Sequence, residues 1–181
     1  GRRIVDDIRE MRAFFGWKRP EQELFDERQR YFDEEIARSD LQLMRGAERT
    51  VRALHERGFV LAVTSSAVRA AIETILRRAG LLAMFAAIVD GSEVTSGKPD
   101  PGAYLVTARR LGVDPAHCVV FEDSNVGVRA AKAAGMFCIA VRNPNAFYRQ
   151  DLDAADIVMS SFDEVDIAWF YPSARTTSRR S

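Results

Sequence analysis

Residues 117–136 read HCVVFEDSNVGVRAAKAAGM and contain a strand, a turn and a helix in that order. The continuous apolar run over 117–121 is typical of a strand buried on both faces. Small residues over 124–134 predict a helix, and the glycine that follows is a common residue at a helix end. Two adjacent acids, Glu122 and Asp123, stand where the strand ends. This unit predicts an α/β fold with polar side chains at a strand tip.

Apolar runs and helical spacings alternate along most of the chain. The predicted strands cover 59–63, 86–89, 117–121, 136–141 and 156–159, and the predicted helices cover 47–57, 66–79, 101–111 and 124–134. Strands and helices that alternate with short links form a parallel sheet with right-handed crossovers. The sequence therefore predicts a Rossmann-like α/β core with a three-layer parallel sheet.

The first part of the chain has a helical pattern without strands. Apolar residues recur at helical spacing over 4–15 and again over 24–36. We predict a helical hairpin that forms a small domain over 1–42, followed by the α/β core over 43–168. The polar and basic end, 169–181, is predicted to be a disordered tail.

Composition argues against several classes of protein. The chain has 181 residues, and its 26 basic and 26 acidic residues cancel. A neutral chain has no general attraction for nucleic acid or anionic membranes, so neither is an expected partner. No apolar run is long enough to span a membrane, and no secretion signal is recognisable. Cys118 and Cys138 lie in apolar runs and are interpreted as reduced thiols, so we expect a cytoplasmic protein.

Three hydroxyl residues follow the first predicted strand. Thr64, Ser65 and Ser66 come directly after the apolar run FVLAV, where a helix is expected to begin. Helix N-termini offer free N–H groups and the positive end of the helix dipole, which favours phosphate binding. Hydroxyl side chains also cap ordinary helices, so this motif fits a structural role equally well.

Two further motifs are expected at the same edge of the sheet, because ligands bind where parallel strands end. Lys98 precedes Pro99, which restrains the lysine backbone, and a compact ammonium is suited to neutralising phosphoryl or carboxylate oxygens. The alternative interpretation is a surface lysine in a turn. Glu122 and Asp123 offer oxygen ligands of the kind that Mg²⁺ prefers, although Asp123 also fits as the cap of the next helix.

Together these motifs resemble the haloacid dehalogenase (HAD) superfamily, in particular its β-phosphoglucomutase-like and phosphoglycolate-phosphatase-like branch. The resemblance is most specific over LAVTSS, SGKPDPGAYLVTARRLGV and VVFEDSNVGVRAAKAAGM. It implies an HAD-like core with a small helical cap that closes over the site and selects the substrate. It also implies a magnesium-dependent phosphatase that acts on a small phosphorylated metabolite.

The resemblance implies a role for each residue at the sheet edge. Thr64, helped by the Ser65 amide, would bind the transferring phosphate, and Ser66 would touch the leaving group. Lys98 would bind the substrate and act in catalysis by stabilising the charge of nucleophile and phosphoryl group. The acidic pair would anchor Mg²⁺ directly or through water. In the implied reaction an aspartate attacks phosphorus, an aspartyl-phosphate forms, and water hydrolyses it.

One part of the resemblance is missing. The family's nucleophile belongs to an Asp-x-Asp-Gly-Thr motif at the end of a first strand, and this motif does not occur in the sequence. Segment 151–153 has the spacing, but no apolar run precedes it and no glycine follows it. We expect the motif upstream of Gly1, on a strand that family members place between the strands ending at Thr64 and Glu122. Without it the chain is predicted to fold poorly, to re-pair its strands, or to borrow a strand, as a monomer or a strand-complemented dimer.

Other functions stay open at this point. The missing nucleophile favours a non-catalytic remnant that binds phosphate or a partner protein. A sugar phosphomutase of the same family would use the same motifs. A receiver-type or nucleotide-binding domain has less support, because neither G-x-G-x-x-G nor a P-loop occurs.

Overall fold

The computed structural model describes residues 3–40, 42–146 and 148–171. Two helices come first, and strands and helices then alternate, so the predicted α/β fold is confirmed. The helices are α1 Ile4–Phe15, α2 Glu21–Arg38, α3 Ala47–Glu56, α4 Arg69–Arg78, α5 Gly102–Leu111 and α6 Asn125–Ala133. The strands are β1 Leu61–Thr64, β2 Phe85–Val89, β3 Val119–Glu122, β4 Phe137–Val141 and β5 Ile157–Met159.

The first two helices pack against each other as the predicted hairpin. Gly16 ends α1 with a left-handed backbone at φ 64°, a conformation that glycine adopts without steric cost. An ion pair between Arg9 and Glu21, 3.3 Å long, then joins the two helices across the turn. The hairpin meets the core where the Arg3 guanidinium donates to the Val94 carbonyl at 2.9 Å.

The strands are parallel, as predicted, and are divided between two sheets. One sheet pairs β1 with β2, and the other has the order β3-β4-β5. Thr64 lies opposite Val89 in the first sheet, and Glu122 lies opposite Ala140 in the second. Alternating elements predict strand direction, but they leave open which strand edges meet.

A cavity of about 610 Å³ separates the two sheets. Its lining includes Leu61, Ala62 and Val63 of β1 and Val119, Val120 and Phe121 of β3. Within the described residues neither strand pairs with the other. The chain has therefore not closed the gap by re-pairing, which was one of the outcomes expected from the sequence.

The buried side chains form two separate clusters, one in each half of the core. The first cluster joins α4 to β2, and its buried members are Ile72, Leu76, Leu81 and Ile88. The second joins α5 and α6 to β3 and β4, and its buried members include Tyr104, Ala108, Val120, Val128, Cys138 and Ala140. Helix α5 also packs against β1 and β2, so it joins the two halves of the core.

Part of the predicted tail is structured. Phe170, in the short 3₁₀ turn Ile167–Phe170, packs its ring against those of Phe59 and Phe121. The remainder of the predicted tail, 172–181, lies outside the described residues. These ring contacts place the half-buried Phe170 against side chains of the α/β core.

Two expectations from composition concern cysteines and membranes. Both cysteines are free thiols, with Cys138 buried and Cys118 half-buried. Among the described residues, no helix combines the length and the apolar character needed to cross a membrane.

Candidate phosphate and metal site

One cavity of about 460 Å³ lies at the carboxyl ends of β1 and β3. It brings together all of the site residues predicted from the sequence. They are Thr64, Ser65, Ser66, Lys98, Glu122 and Asp123. Side chains far apart in the sequence thus meet where the strand tips converge, although their chemical roles stay predictions.

Glu122 is the most strongly hydrogen-bonded of these residues. Its Oε1 accepts from the Lys98 ammonium and, at 2.6 Å, from the Tyr104 hydroxyl. Its Oε2 accepts from the Asp123 amide and from the amide and hydroxyl of Ser124, at 3.0–3.1 Å. Burial alone would raise the pKa of Glu122, but the Lys98 charge and the surrounding donors hold that pKa below its ordinary value. Both oxygens are therefore committed to protein donors, and a direct metal bond would have to compete with them.

Gly127 provides the space that the Glu122 carboxylate occupies. A Cβ atom at this position would overlap the carboxyl group. The sequence places this glycine among the small residues of a helix, which indicates close packing but not the partner. The first turn of α6 thus needs a residue without a side chain because a buried carboxylate lies against it.

Lys98 is a buried cation with a defined orientation. Its side chain is 6% exposed, and its Nζ donates to the Glu122 carboxylate and, at 2.9 Å, to the Tyr104 hydroxyl. The peptide bond to Pro99 is cis. The alternative of a surface lysine in a turn is therefore wrong. An ammonium has three N–H groups, so one remains for a ligand in the cavity.

The Thr64 hydroxyl is turned toward α5 and away from the role predicted for it. Its Oγ1 lies 2.7 Å from Oγ1 of Thr107. Thr107 uses its own hydrogen on the Ala103 carbonyl at 2.9 Å. Because each hydroxyl has one hydrogen, Thr64 donates to Thr107. Thr64 must rotate before it can donate to a phosphate.

The segment after Thr64 also differs from the predicted helix start. Helix α4 begins at Arg69, three residues after Ser66. The Ser65 amide, expected to help bind phosphate, instead donates to the Val89 carbonyl at 3.0 Å. The Ser65 hydroxyl accepts from the Ala67 amide at 3.2 Å, which leaves its own hydrogen for a ligand. The Ser65 side chain is thus the available donor, because parallel pairing to β2 occupies the amide.

Asp123 is held by two residues of the loop after β4. Its Oδ2 accepts from the Asn143 side chain at 3.0 Å, and its carbonyl accepts from the Gln150 side chain at 2.6 Å. Gln150 in turn accepts from the Asn143 amide at 3.1 Å. Ser124 caps α6 by accepting from Gly127, so the alternative that Asp123 is the helix cap is wrong. Its second oxygen, Oδ1, makes no hydrogen bond to a described residue.

The described residues fit part of a magnesium site. They contain no group of three or more His, Cys, Asp and Glu side chains that could hold a metal by themselves. Mg²⁺, however, usually keeps several waters and binds one or two carboxylates together with substrate phosphate. Asp123 is the better placed direct ligand because its Oδ1 is open, whereas Glu122 is committed to five donors.

The helical hairpin contributes part of the lining of the cavity. Ile4 and Asp7 come from α1, and Arg28 comes from α2. The Arg28 guanidinium lies 5.4 Å from the centre of the Phe32 ring. A ligand held at the strand tips would therefore share the cavity with two charged side chains of the hairpin, Asp7 and Arg28.

Comparison with known protein families provides the assignment. A family model described as haloacid dehalogenase-like hydrolase matches residues 6–135. The chain belongs to the haloacid dehalogenase-like hydrolases. The matched range contains every predicted site residue from Thr64 to Asp123, so the resemblance seen in the sequence is confirmed.

Individual relatives agree with this assignment. A probable pseudouridine-5'-phosphatase of Drosophila melanogaster is 40% identical over 143 residues, which cover 75% of this chain and 62% of the relative. CbbY from Rhodobacter sphaeroides, in complex with phosphate, has a TM-score of 0.75 at 27% identity and covers 81% of this chain and 66% of its own. A β-phosphoglucomutase from Clostridium difficile has a TM-score of 0.79 at 21% identity, with 92% and 74% covered, and shows the common fold. The chain thus spans less than two thirds of the Drosophila relative.

Proposed function

We propose that this chain carries the phosphate- and magnesium-binding part of an HAD phosphatase that acts on a small phosphorylated metabolite. The main support is the cavity at the strand tips, where hydroxyl, ammonium and carboxylate groups from three separate segments meet. Its volume of about 460 Å³ is within the range of roughly 300–1,000 Å³ typical of small-molecule sites. The phosphatase name of the Drosophila relative and the phosphate bound to CbbY support a phosphorylated substrate.

Each side chain has a distinct task in this proposal. The Ser65 hydroxyl and the third N–H of Lys98 donate to phosphoryl oxygens, and Thr64 joins them after its hydroxyl turns from Thr107. The Lys98 charge stabilises the negative charge that develops during phosphoryl transfer, and a site with little water strengthens this effect. Asp123 would hold Mg²⁺ through Oδ1. When bound, Mg²⁺ would offset the charge of phosphate and carboxylate.

We also propose that the nucleophile enters on a strand that fills the cavity between β1 and β3. Ligand-binding residues follow the carboxyl ends of parallel strands, so an aspartate ending such a strand would stand beside Thr64 and Glu122. About five buried apolar residues would contribute roughly 1.5–3 kcal/mol each. Their total is comparable to the whole stability of a domain, about 5–15 kcal/mol. The strand would belong to a longer form of the protein or to a second chain in a strand-complemented dimer. The aspartate would attack phosphorus, and water would hydrolyse the aspartyl-phosphate.

Phosphate binding without turnover is a second candidate function. One observation favours it, namely that the sequence contains no Asp-x-Asp-Gly-Thr motif. The cavity could then hold a phosphate without a group that attacks it.

Hydrolysis of p-nitrophenyl phosphate with Mg²⁺ separates the two functions. The chain is assayed by itself and as a fusion in which an added segment precedes Gly1 through a flexible linker. The added segment contains about five apolar residues, a typical strand length, followed by Asp-x-Asp-Gly-Thr. The matched control fusion has Asn at both acidic positions. We expect turnover only in the fusion that keeps both aspartates, and we expect Asp123→Ala in that fusion to abolish it.

Equal turnover in both fusions, or turnover that Asp123→Ala does not affect, would contradict the proposed phosphatase. If neither fusion turns over substrate but both bind phosphate, the second function is supported.

A further inference from the structure

The hydroxyl of Tyr104 lies between the two charges of the candidate site. Tyr104 is 5% exposed and belongs to α5. Its Oη accepts from Lys98 Nζ at 2.9 Å and donates to Glu122 Oε1 at 2.6 Å. The Lys98 ammonium also lies 4.7 Å from the centre of the Tyr104 ring. One side chain therefore contacts the cation and the carboxylate together.

The directions of these hydrogen bonds follow from the donors available. Lys98 donates only, and ionised Glu122 accepts only, so a neutral phenol between them must accept from the first and donate to the second. Burial and the nearby Glu122 charge raise the pKa of Tyr104, which keeps the phenol protonated. The arrangement thus has one consistent pattern of protons.

This pattern restricts the rotation of the ammonium. A lysine side chain is flexible, and its ammonium carries three rotatable N–H donors. With Glu122 as the only partner, the flexible side chain could pivot about that one hydrogen bond and carry the other two N–H groups with it. A second acceptor at Tyr104 fixes two of the three N–H directions, and the third is then determined. Lys98 lines the cavity, so this third N–H is the one that serves a ligand.

We propose that Tyr104 is a positioning residue that orients the Lys98 ammonium toward the phosphate cavity. It acts through hydrogen bonds from Lys98 and to Glu122, and it does not touch the substrate. The inference rests on the proposed function in one respect, namely that the ligand in the cavity is a phosphate.

Lysine-selective ¹⁵N NMR of the whole chain tests this proposal without requiring turnover. The chain has three lysines, Lys18, Lys98 and Lys132. Lys18 is exposed and Lys132 is 35% exposed, so Lys98 is the one expected to give slowly exchanging ammonium protons. Inorganic phosphate is then titrated, and we expect the Lys98 resonance to shift.

The informative variant is Tyr104→Phe, which keeps the ring and removes the hydroxyl. We expect Lys98 proton exchange to accelerate and phosphate affinity to fall by about tenfold, the scale of one hydrogen bond to a charged group. The matched control is Tyr31→Phe, because Tyr31 is 59% exposed on the hairpin. The control should exchange and bind like wild type.

Unchanged Lys98 exchange in Tyr104→Phe overturns the proposal, and so does the absence of any protected ammonium signal in wild type. If Tyr104→Phe accelerates exchange but wild type shows no response to phosphate, the positioning role holds and the proposed phosphate function fails. If Tyr104→Phe does not fold, the wild-type protein decides the matter. A nuclear Overhauser effect between the Lys98 ammonium and the Tyr104 ring is then expected, and its absence overturns the proposal.

Discussion

Replacement of Gly127 by alanine tests the architecture of the site with one methyl group. A Cβ at this position would overlap the carboxyl group of Glu122. The carboxylate has little freedom to move, because its side chain is 7% exposed and five hydrogen-bond donors hold it. Gly127→Ala must therefore displace the carboxylate or push α6 away from β3.

The expected cost follows from the buried ion pair between Glu122 and Lys98. Breaking a buried pair by displacing one partner costs about 3–5 kcal/mol, because the other charge loses its compensation. The higher helix propensity of alanine offsets about 1 kcal/mol of this cost. The net loss is then about 2–4 kcal/mol, a large share of a domain stability of about 5–15 kcal/mol.

Urea denaturation followed by circular dichroism measures this loss as a lower midpoint with an unchanged slope. The matched control is Gly102→Ala in α5, where a Cβ would meet only the Asp100 side-chain oxygen at 2.8 Å. Asp100 is exposed and can swing aside, so the control should stay within about 1 kcal/mol of wild type. A Gly127→Ala protein as stable as wild type would refute the reasoning, as would an equal loss in the control.

Three further predictions concern the pH dependence of stability, metal binding and substrate binding. The Arg110 guanidinium lowers the pKa of Glu93 to about 2, so this pair stabilises the fold above the unfolded pKa of about 4.5 and loses its effect as pH falls toward 2. Glu93→Gln should flatten the decline of urea midpoints across that range, and an unchanged slope would contradict the assignment. Asn143→Ala removes the donor to Asp123 Oδ2 and should weaken the affinity for Mg²⁺ by about 10–100-fold in calorimetry, whereas an unchanged affinity would exclude that support. In the fusion that carries Asp-x-Asp-Gly-Thr, Arg28→Ala should raise KM for the substrate and leave kcat unchanged. A fall in kcat alone would argue against a substrate contact.

The residues at the strand tips could be predicted because both their chemistry and their position are local features. Thr64 and Glu122 each end an apolar run, and parallel strands bring such ends to one edge of a sheet. The hydrogen-bond partners could not be predicted in the same way. Tyr104 stands in the apolar stripe of α5, where an aromatic residue indicates packing, and its hydroxyl meets Glu122 only because the tertiary fold brings Tyr104 beside the carboxyl end of β3. Asn143 and Gln150 follow β4 in a segment that has no motif.

By itself, the sequence determined the alternation of strands and helices, their parallel direction, the family and the absence of the nucleophile motif. These properties follow from spacing along the chain, since apolar periods and motif letters are read within a few residues of each other. The tertiary structure alone decided that β1 and β3 leave a cavity between two sheets, that Glu122 is committed to five donors, and that Asp123 keeps an open oxygen. Each of these features depends on which surfaces, distant in sequence, come into contact. The partners of strand edges and of buried polar groups are set by tertiary packing and not by adjacent residues in the sequence.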